Sequence, residues 1–189
     1  FNIDPSEIII EKNISNDHDF YGKLKKETED DLYKTLGESS TRLKIIRPSL
    51  TYGKGVKGNL SLIIKFLKLG VLPVFPDIKN RKSMIHVDDL SRAILFLHLE
   101  DLRNEVFIIT DGKFYSTKEI FESLSFANNK QIMKIHIPMW TLTMIRCLSP
   151  KIKRRIDKLL SNEPYSSEKI ESLGFKARFK LHNIYEKDF

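Results

Sequence analysis

The sequence contains one cysteine, Cys147, in 189 residues. An internal disulfide is therefore excluded, and the usage suits a reducing cytoplasm. Glycine (8) and proline (7) are scarce, which excludes collagen-like and low-complexity chains. Long hydrophobic runs are missing as well. The longest, residues 60–75, is broken by Lys65, Lys68, Gly70 and Pro73, so no stretch is suited to spanning a membrane. No signal peptide opens the chain. It starts at Phe1, without a methionine, in a polar and unpatterned segment, and reads as the continuation of an upstream region. His18, His98 and His182 share no metal-ligand spacing with one another or with Cys147, so no metal site is expected.

Hydrophobic residues make up 41% of the chain, enough for a sizeable core. Lys and Arg number 32 against 25 Asp and Glu, a net charge of +7. That excess fits plain solubility, and it equally fits an anionic ligand such as a nucleotide. No nucleic-acid-binding module is recognisable, and the aromatic residues do not interleave with the basic ones.

Tyr21, Leu24, Thr28, Leu32 and Leu36 recur at steps of three and four. With Asp17 or Asp19 as N-cap and Gly37 as the C′ residue, they predict a helix. Residues 42–46 (RLKII) read as a buried strand that ends before Pro48. Residues 51–58 (TYGKGVKG) read as a loop, and Asn59 opens a helix that Gly70 stops. Val71 to Phe75 is a short strand candidate interrupted by Pro73, and 77–83 (DIKNRKS) is basic and turn-like. Asp88 is placed to cap a helix through about Leu99. Residues 105–110 (EVFIIT) form the strongest strand signal. Ser116 and Glu119 make a capping box for a helix to about Phe126. A short extended piece follows around His136, then helices over 139–148, 151–160 and 167–173. Helices alternating with short strands indicate an α/β chain with a mainly parallel sheet. Few strands remain for a sheet standing alone, so half of it is expected upstream of Phe1.

The chemistry-bearing candidates begin with Tyr21 and Lys25, four residues apart and thus one turn apart on one helix face. A nearby ammonium favours the phenolate, which would let Tyr21 exchange a proton with a sugar hydroxyl or ketone. The same pair also fits a core tyrosine beside a solvated lysine. His86 and His136, each between apolar neighbours, read as packed residues. The run Lys151, Lys153, Arg154, Arg155 and Lys158 alternates with apolar residues and reads first as a solvated helix face, next as a phosphate-facing end.

The Tyr-x-x-x-Lys helix is followed by Arg47-Pro48-Ser49-Leu50-Thr51-Tyr52-Gly53, then Asn59-Leu60, then Ile85-His86-Val87-Asp88-Asp89-Leu90, and finally the turn and helix near Ser166 to Gly174. In this order and spacing they resemble the C-terminal half of the extended short-chain dehydrogenase/reductases, specifically the NAD-dependent epimerase/dehydratase family acting on nucleotide sugars. The resemblance implies an α/β, Rossmann-like parallel sheet with a smaller, mostly helical substrate-binding cap. Residues 1–52 and 84–112 would belong to the sheet part, and 53–83 and 113–189 to the cap. It implies Tyr21 as the proton-transferring tyrosine and Lys25 as the lysine that holds the nicotinamide ribose and tunes that tyrosine. Pro48 and Ser49 would pass the nicotinamide ring. Asn59 and Leu60 would face the sugar-nucleotide diphosphate at a helix N-terminus. Arg81 or Lys82 would fall near a diphosphate-pairing arginine, with Lys158 as a second phosphate contact.

The implied activity is oxidation and reduction at C4 of a UDP-linked hexose for polysaccharide biosynthesis, with NAD or NADP as cofactor. Epimerase is favoured over 4-ketoreductase or dehydratase, and a non-catalytic fragment that keeps sugar-nucleotide binding is the further alternative. A homodimer through the helix bearing Tyr21 is also implied. The glycine-rich turn that cradles the dinucleotide pyrophosphate is not in these 189 residues, because Gly53, Gly55 and Gly58 read as the substrate loop. The catalytic Ser or Thr of the family would precede Phe1, so neither Ser6 nor Ser15 is assigned to it. Leu50 stands where the UDP-galactose branch carries a substrate-binding Asn. The Arg-Pro variant is nearer to the polysaccharide-locus 4-epimerases and 4-ketosugar reductases.

Overall fold

A computed structural model describes residues 8–12, 20–36, 38–56, 59–74, 78–127 and 133–183. The first helix, α1 (Phe20–Leu36), follows the predicted periodicity; its expected caps, Asp17 or Asp19 and Gly37, lie outside the described residues. Strand β1 (Lys44–Pro48) pairs in parallel with β5 (Glu105–Ile109), Lys44 opposite Glu105 and Pro48 opposite Ile109. The carboxylate of Glu29 grips the Arg47 guanidinium through both Nε and Nη2, which ties α1 to β1.

The strand was expected to stop before Pro48, but it runs through it. Ser49 N donates to Ile109 O at 3.0 Å. Bonds towards a given neighbour come from alternate residues, so the Pro48 nitrogen faces away from β5 and its missing donor costs the ladder nothing.

A second correction follows at once. Residues 51 and 52, read as the start of the 51–58 loop, belong to a strand, β2 (Leu50–Tyr52). It pairs in parallel with β4 (Lys82–His86), whose first residues had read as a turn. On its other side β4 pairs antiparallel with β6 (Phe114–Tyr115). A third parallel pair joins β3 (Val71–Val74) to β7 (Met133–His136).

Every residue of β4 is buried. Because successive strand residues point to opposite faces, Met84 and Ile85 feed two different cores. Met84 belongs to a cluster with Tyr52, Leu60, Leu67, Tyr115, Phe121 and Leu181. Ile85 belongs to one with Ala93, Leu97, Phe107, Ile109 and Ile170. The first core is covered by α2 (Asn59–Lys68) and α4 (Thr117–Ala127). The second lies under α3 (Val87–Leu99) and α7 (Glu168–Ser172).

The capping box of α4 closes as predicted. Ser116 N donates to Glu119 Oε2 at 2.7 Å, and Glu119 N donates to Ser116 Oγ at 3.1 Å. The cap of α3 does not: His86, not Asp88, takes that place, its Nδ1 accepting from Asp88 N at 3.2 Å. Asp88 sits inside the first turn, where its charge complements the helix dipole. Helices α5 (Met139–Arg146) and α6 (Pro150–Leu160) pack as a hairpin pinned by an Arg146–Asp157 ion pair at 2.6 Å. A 3-10 turn at Leu181–Asn183 closes the described chain.

Candidate functional site

The carboxyl ends of parallel strands are where open α/β sheets bind ligands, and the polar groups there are arranged as follows. Ser49, just past β1, is buried, and its Oγ has no hydrogen-bond partner among the described residues. Its backbone oxygen accepts from Thr51 Oγ1 at 3.2 Å. His86, the last residue of β4, is 2% exposed; its ring stacks on Phe179 with centroids 4.4 Å apart and meets the Tyr52 ring edge-on. With Nδ1 committed to the cap of α3, Nε2 is left without a hydrogen-bond partner among the described residues. Pro48 itself is exposed at the end of β1.

Tyr21 and Lys25 occupy positions one turn apart near the start of α1. Lys25 is exposed, and the Tyr21 side chain lies outside the described residues. The Glu29–Arg47 pair, one turn further along α1, fixes this helix against the carboxyl end of β1.

Beside the β2–β4 pair lies a cavity of about 330 Å³. Leu50, Leu60, Ile63 and Phe121 form its apolar wall, and α6 supplies Arg154, Arg155 and Lys158. The structure thus brings Leu60, Lys82 and Lys158 of the predicted set together at one cavity. Asn59 opens the α2 helix, while its side chain falls outside the described residues.

The two candidates for a diphosphate partner divide. The Arg81 guanidinium lies 4.1 Å over the Phe114 ring, and Arg81 N donates to Asn162 Oδ1 at 2.8 Å; Arg81 is not part of the cavity wall. Lys82 reaches the wall but is committed to protein. Its Nζ donates to Lys158 O at 2.8 Å and Ser161 Oγ at 3.3 Å, with Glu163 Oε2 3.8 Å away. Burial holds its pKa below the ordinary lysine value, partly offset by Glu163. Its ammonium meets the last turn of α6, where free carbonyls favour a cation.

Asn80 completes that join. Its amide donates to Thr117 Oγ1, Leu159 O and Ser161 O, and its Oδ1 accepts from Thr117 N at 2.9 Å. One side chain therefore links the approach to β4, the start of α4 and the end of α6.

Arg154 and Arg155 are the residues that the sequence reading placed mainly on a solvated face. The alternation with Ile152, Ile156 and Leu159 held the signal that one side of this helix faces protein. Which cations border the cavity depends on how α6 is docked, and that is not local information. Among the described residues no group of three or more His, Cys, Asp or Glu is arranged to hold a metal ion, and no helix is long and apolar enough to cross a membrane.

No protein-family model matches the chain. A UDP-glucose 4-epimerase of Vibrio cholerae is 30% identical over 161 residues, which cover 84% of this chain and 49% of that protein. An N-acetyl-alpha-D-glucosaminyl-diphospho-ditrans,octacis-undecaprenol 4-epimerase of Escherichia coli O157:H7 is 25% identical over 180 residues, 85% of this chain and 53% of that one. Among solved structures, a human epimerase family protein with NADPH superposes with a TM-score of 0.75 at 19% identity, over 96% of this chain and 59% of its own. The UDP-glucuronic acid 4-epimerase of Bacillus cereus, in complex with UDP-glucuronic acid and NAD, gives 0.70 at 17% identity, over 97% and 55%. The structural likenesses establish the α/β Rossmann fold. The chain spans about half the length of the two 4-epimerases it matches in sequence. In sequence and fold together the chain is similar to part of the NAD-dependent epimerase/dehydratase family of extended short-chain dehydrogenases/reductases.

Proposed function

We propose that this protein works as a nucleotide-sugar 4-epimerase, binding a UDP-linked sugar at the α2–α6 cavity and reacting it at C4. The observation that carries this reading is the cavity itself. It combines an apolar wall of Leu50, Leu60 and Ile63 with three cations on α6, a pairing suited to a ligand with a flat base, a sugar and a diphosphate. The Vibrio cholerae and Bacillus cereus relatives are named for 4-epimerisation of UDP-sugars, which supports the same class. In this reading residues 1–52 and 84–112 form the sheet part, and 53–83 and 113–189 the substrate part. The setting is polysaccharide biosynthesis in the cytoplasm, and a homodimer forms through α1.

NAD or NADP, when bound, supplies the hydride acceptor and donor. Ser49 fits a role beside such a group, since its buried Oγ lacks a hydrogen-bond partner among the described residues; Pro48, Tyr21 and Lys25 would hold the remainder. Tyr21 moves the proton of the C4 hydroxyl, and the Lys25 ammonium one turn away favours the phenolate form that accepts it. Asn59 and Leu60, at the start of α2, place the diphosphate against a helix N-terminus. Lys158, with Arg154 and Arg155, holds it from the other side. Arg81 and Lys82 brace this wall rather than grip phosphate.

The test takes the longest form of the protein that contains these residues, with UDP-glucose and NAD. Tyr21→Phe should lower turnover by at least about 100-fold, the low end for a positioned acid–base, with little change in UDP-sugar affinity. Turnover near wild type would overturn the assignment. UDP-sugar binding with no turnover in the unaltered protein would favour the second reading that the cavity also supports, a sugar-nucleotide-binding protein without catalysis.

A further inference from the structure

The charge along the chain is not evenly spread. Residues 123–156 contain no Asp or Glu, although the chain as a whole has 25. The same stretch carries Lys130, Lys134, Arg146, Lys151, Lys153, Arg154 and Arg155. Within it lie α5 and the first part of α6; Asp157, just beyond the stretch, is the acid that pairs with Arg146 in the hairpin described above.

On α5 the apolar residues are on the outside. Trp140 is 64% exposed, Met144 64% and Leu148 74%. They stand at i, i+4 and i+8, so they form one row along the helix. The turn continues past Arg146, with Leu148 N donating to Ile145 O at 3.1 Å, which keeps Leu148 in line. Leu142, about half a turn round the helix from this row, is the residue that packs inward at 5% exposure. Lys151 and Lys153 follow a few residues later, both exposed along α6, while Arg154 and Arg155 border the cavity.

We infer that the α5–α6 hairpin is a docking surface for an anionic lipid bilayer. A tryptophan beside aliphatic side chains, next to the exposed Lys151 and Lys153, has the chemistry of an interfacial helix: the apolar row enters the headgroup–acyl boundary and the two ammonium groups meet lipid phosphates. A second copy of the same face is disfavoured, because it would oppose two sets of like cations, and the hairpin's own carboxylate, Asp157, is engaged by Arg146. Nucleic acid would answer the cations but leave the Trp140–Met144–Leu148 row in water. Only a surface that is both anionic and apolar beneath answers both halves.

Trp140 is the only tryptophan in the chain, so its emission reports on this face alone. Wild-type protein is mixed with vesicles of phosphatidylcholine and phosphatidylglycerol in equal amounts, and separately with phosphatidylcholine alone. The expected result is a blue shift of Trp140 emission and co-sedimentation with the mixed vesicles, weaker with the neutral ones, and reduced by added salt. Lys151→Gln with Lys153→Gln should weaken vesicle binding by about tenfold or more, on the order of each lysine's contribution near an anionic surface. Met144→Ser with Leu148→Ser should weaken it while leaving the tryptophan in place as reporter, with circular dichroism confirming the fold. Unshifted emission and no sedimentation with the mixed vesicles would overturn the proposal. So would a blue shift that grows with protein concentration in the absence of lipid, which would mark a second copy. Salt-sensitive binding to generic duplex DNA as strong as that to the mixed vesicles would overturn it in favour of nucleic acid.

Discussion

Gly53 closes over the imidazole of His86. A β-carbon at position 53 would lie 2.9 Å from His86 Nε2 and 2.8 Å from Val87 Cγ1, and the backbone there adopts φ +118°. The loop after β2 can therefore reach the start of α3 only with a glycine. Gly53→Ala combines a backbone outside the comfortable range with a contact against a buried ring, and should cost about 2 kcal/mol or more of stability. Gly55, at φ +79° with nothing within 4 Å of a β-carbon, is the internal comparison, and Gly55→Ala should cost about 1 kcal/mol. Urea unfolding of both variants checks the ordering; equal losses would mean that the close approach to His86 is unimportant.

Asn80→Ala should be among the most damaging single substitutions away from the apolar cores. It removes one side chain that is donor to Thr117 Oγ1, Leu159 O and Ser161 O and acceptor from Thr117 N. Buried groups left unsatisfied cost about 1–3 kcal/mol each, so a total of about 3 kcal/mol is expected. Since Thr117 and Leu159 also border the cavity, UDP-sugar affinity should fall in the same variant. A loss of stability under about 1 kcal/mol would show that Thr117 and α6 find other partners.

Arg81 and Arg155 should separate in ligand binding. The Arg81 guanidinium rests on Phe114, whereas Arg155 borders the cavity. Arg155→Gln should raise the KM for a UDP-sugar by about tenfold or more with little change in kcat, the pattern of a lost charged hydrogen bond made equally in ground and transition states. Arg81→Gln should leave KM nearly unchanged. A large effect at Arg81 and none at Arg155 would relocate the diphosphate to the other side of β4.

Asp111 provides a test in acid. Its carboxylate accepts from Tyr115 Oη at 2.6 Å and from Lys113 N at 2.9 Å. Even so, burial raises its pKa above the ordinary 3.8, the hydrogen bonds and Lys180 offsetting only part of that. A carboxyl raised on folding holds its proton more tightly in the native state. Its contribution is therefore fully present below pH 3.8 and is lost as pH rises through the folded value. Relative to Asp111→Asn, the wild type should lose stability as pH rises across that window and run parallel to the variant above it. Unfolding midpoints across a pH series check this; a wild type that gains stability over the variant with rising pH would mean that the ionised form is the favoured one.

How much of this was legible beforehand differs element by element. The reciprocal bonds of Ser116 and Glu119 were readable because a capping box spans three residues and needs no other part of the chain. The α1 helix and the β5 strand were readable for the same reason: periodicity and propensity are local. Strand β4 was not. Lys82 and Ser83 are polar, and the segment before them is basic, so the sequence looked like a turn. What makes it a buried strand is its pairing with residues 50–52 on one side and 114–115 on the other, with Lys158 O and Ser161 Oγ receiving the lysine's ammonium.

The sequence by itself determined the α/β class, most of the helices and the family resemblance, since order, spacing and residue type survive without coordinates. Only the tertiary structure decided that His86 rather than Asp88 caps α3, that Arg81 stacks on Phe114, and that Arg154 and Arg155 border a cavity while Trp140 and Met144 face outward. Each of these depends on which surfaces meet across dozens of residues, and burial of that kind is set by the whole packed chain, not by any window of it.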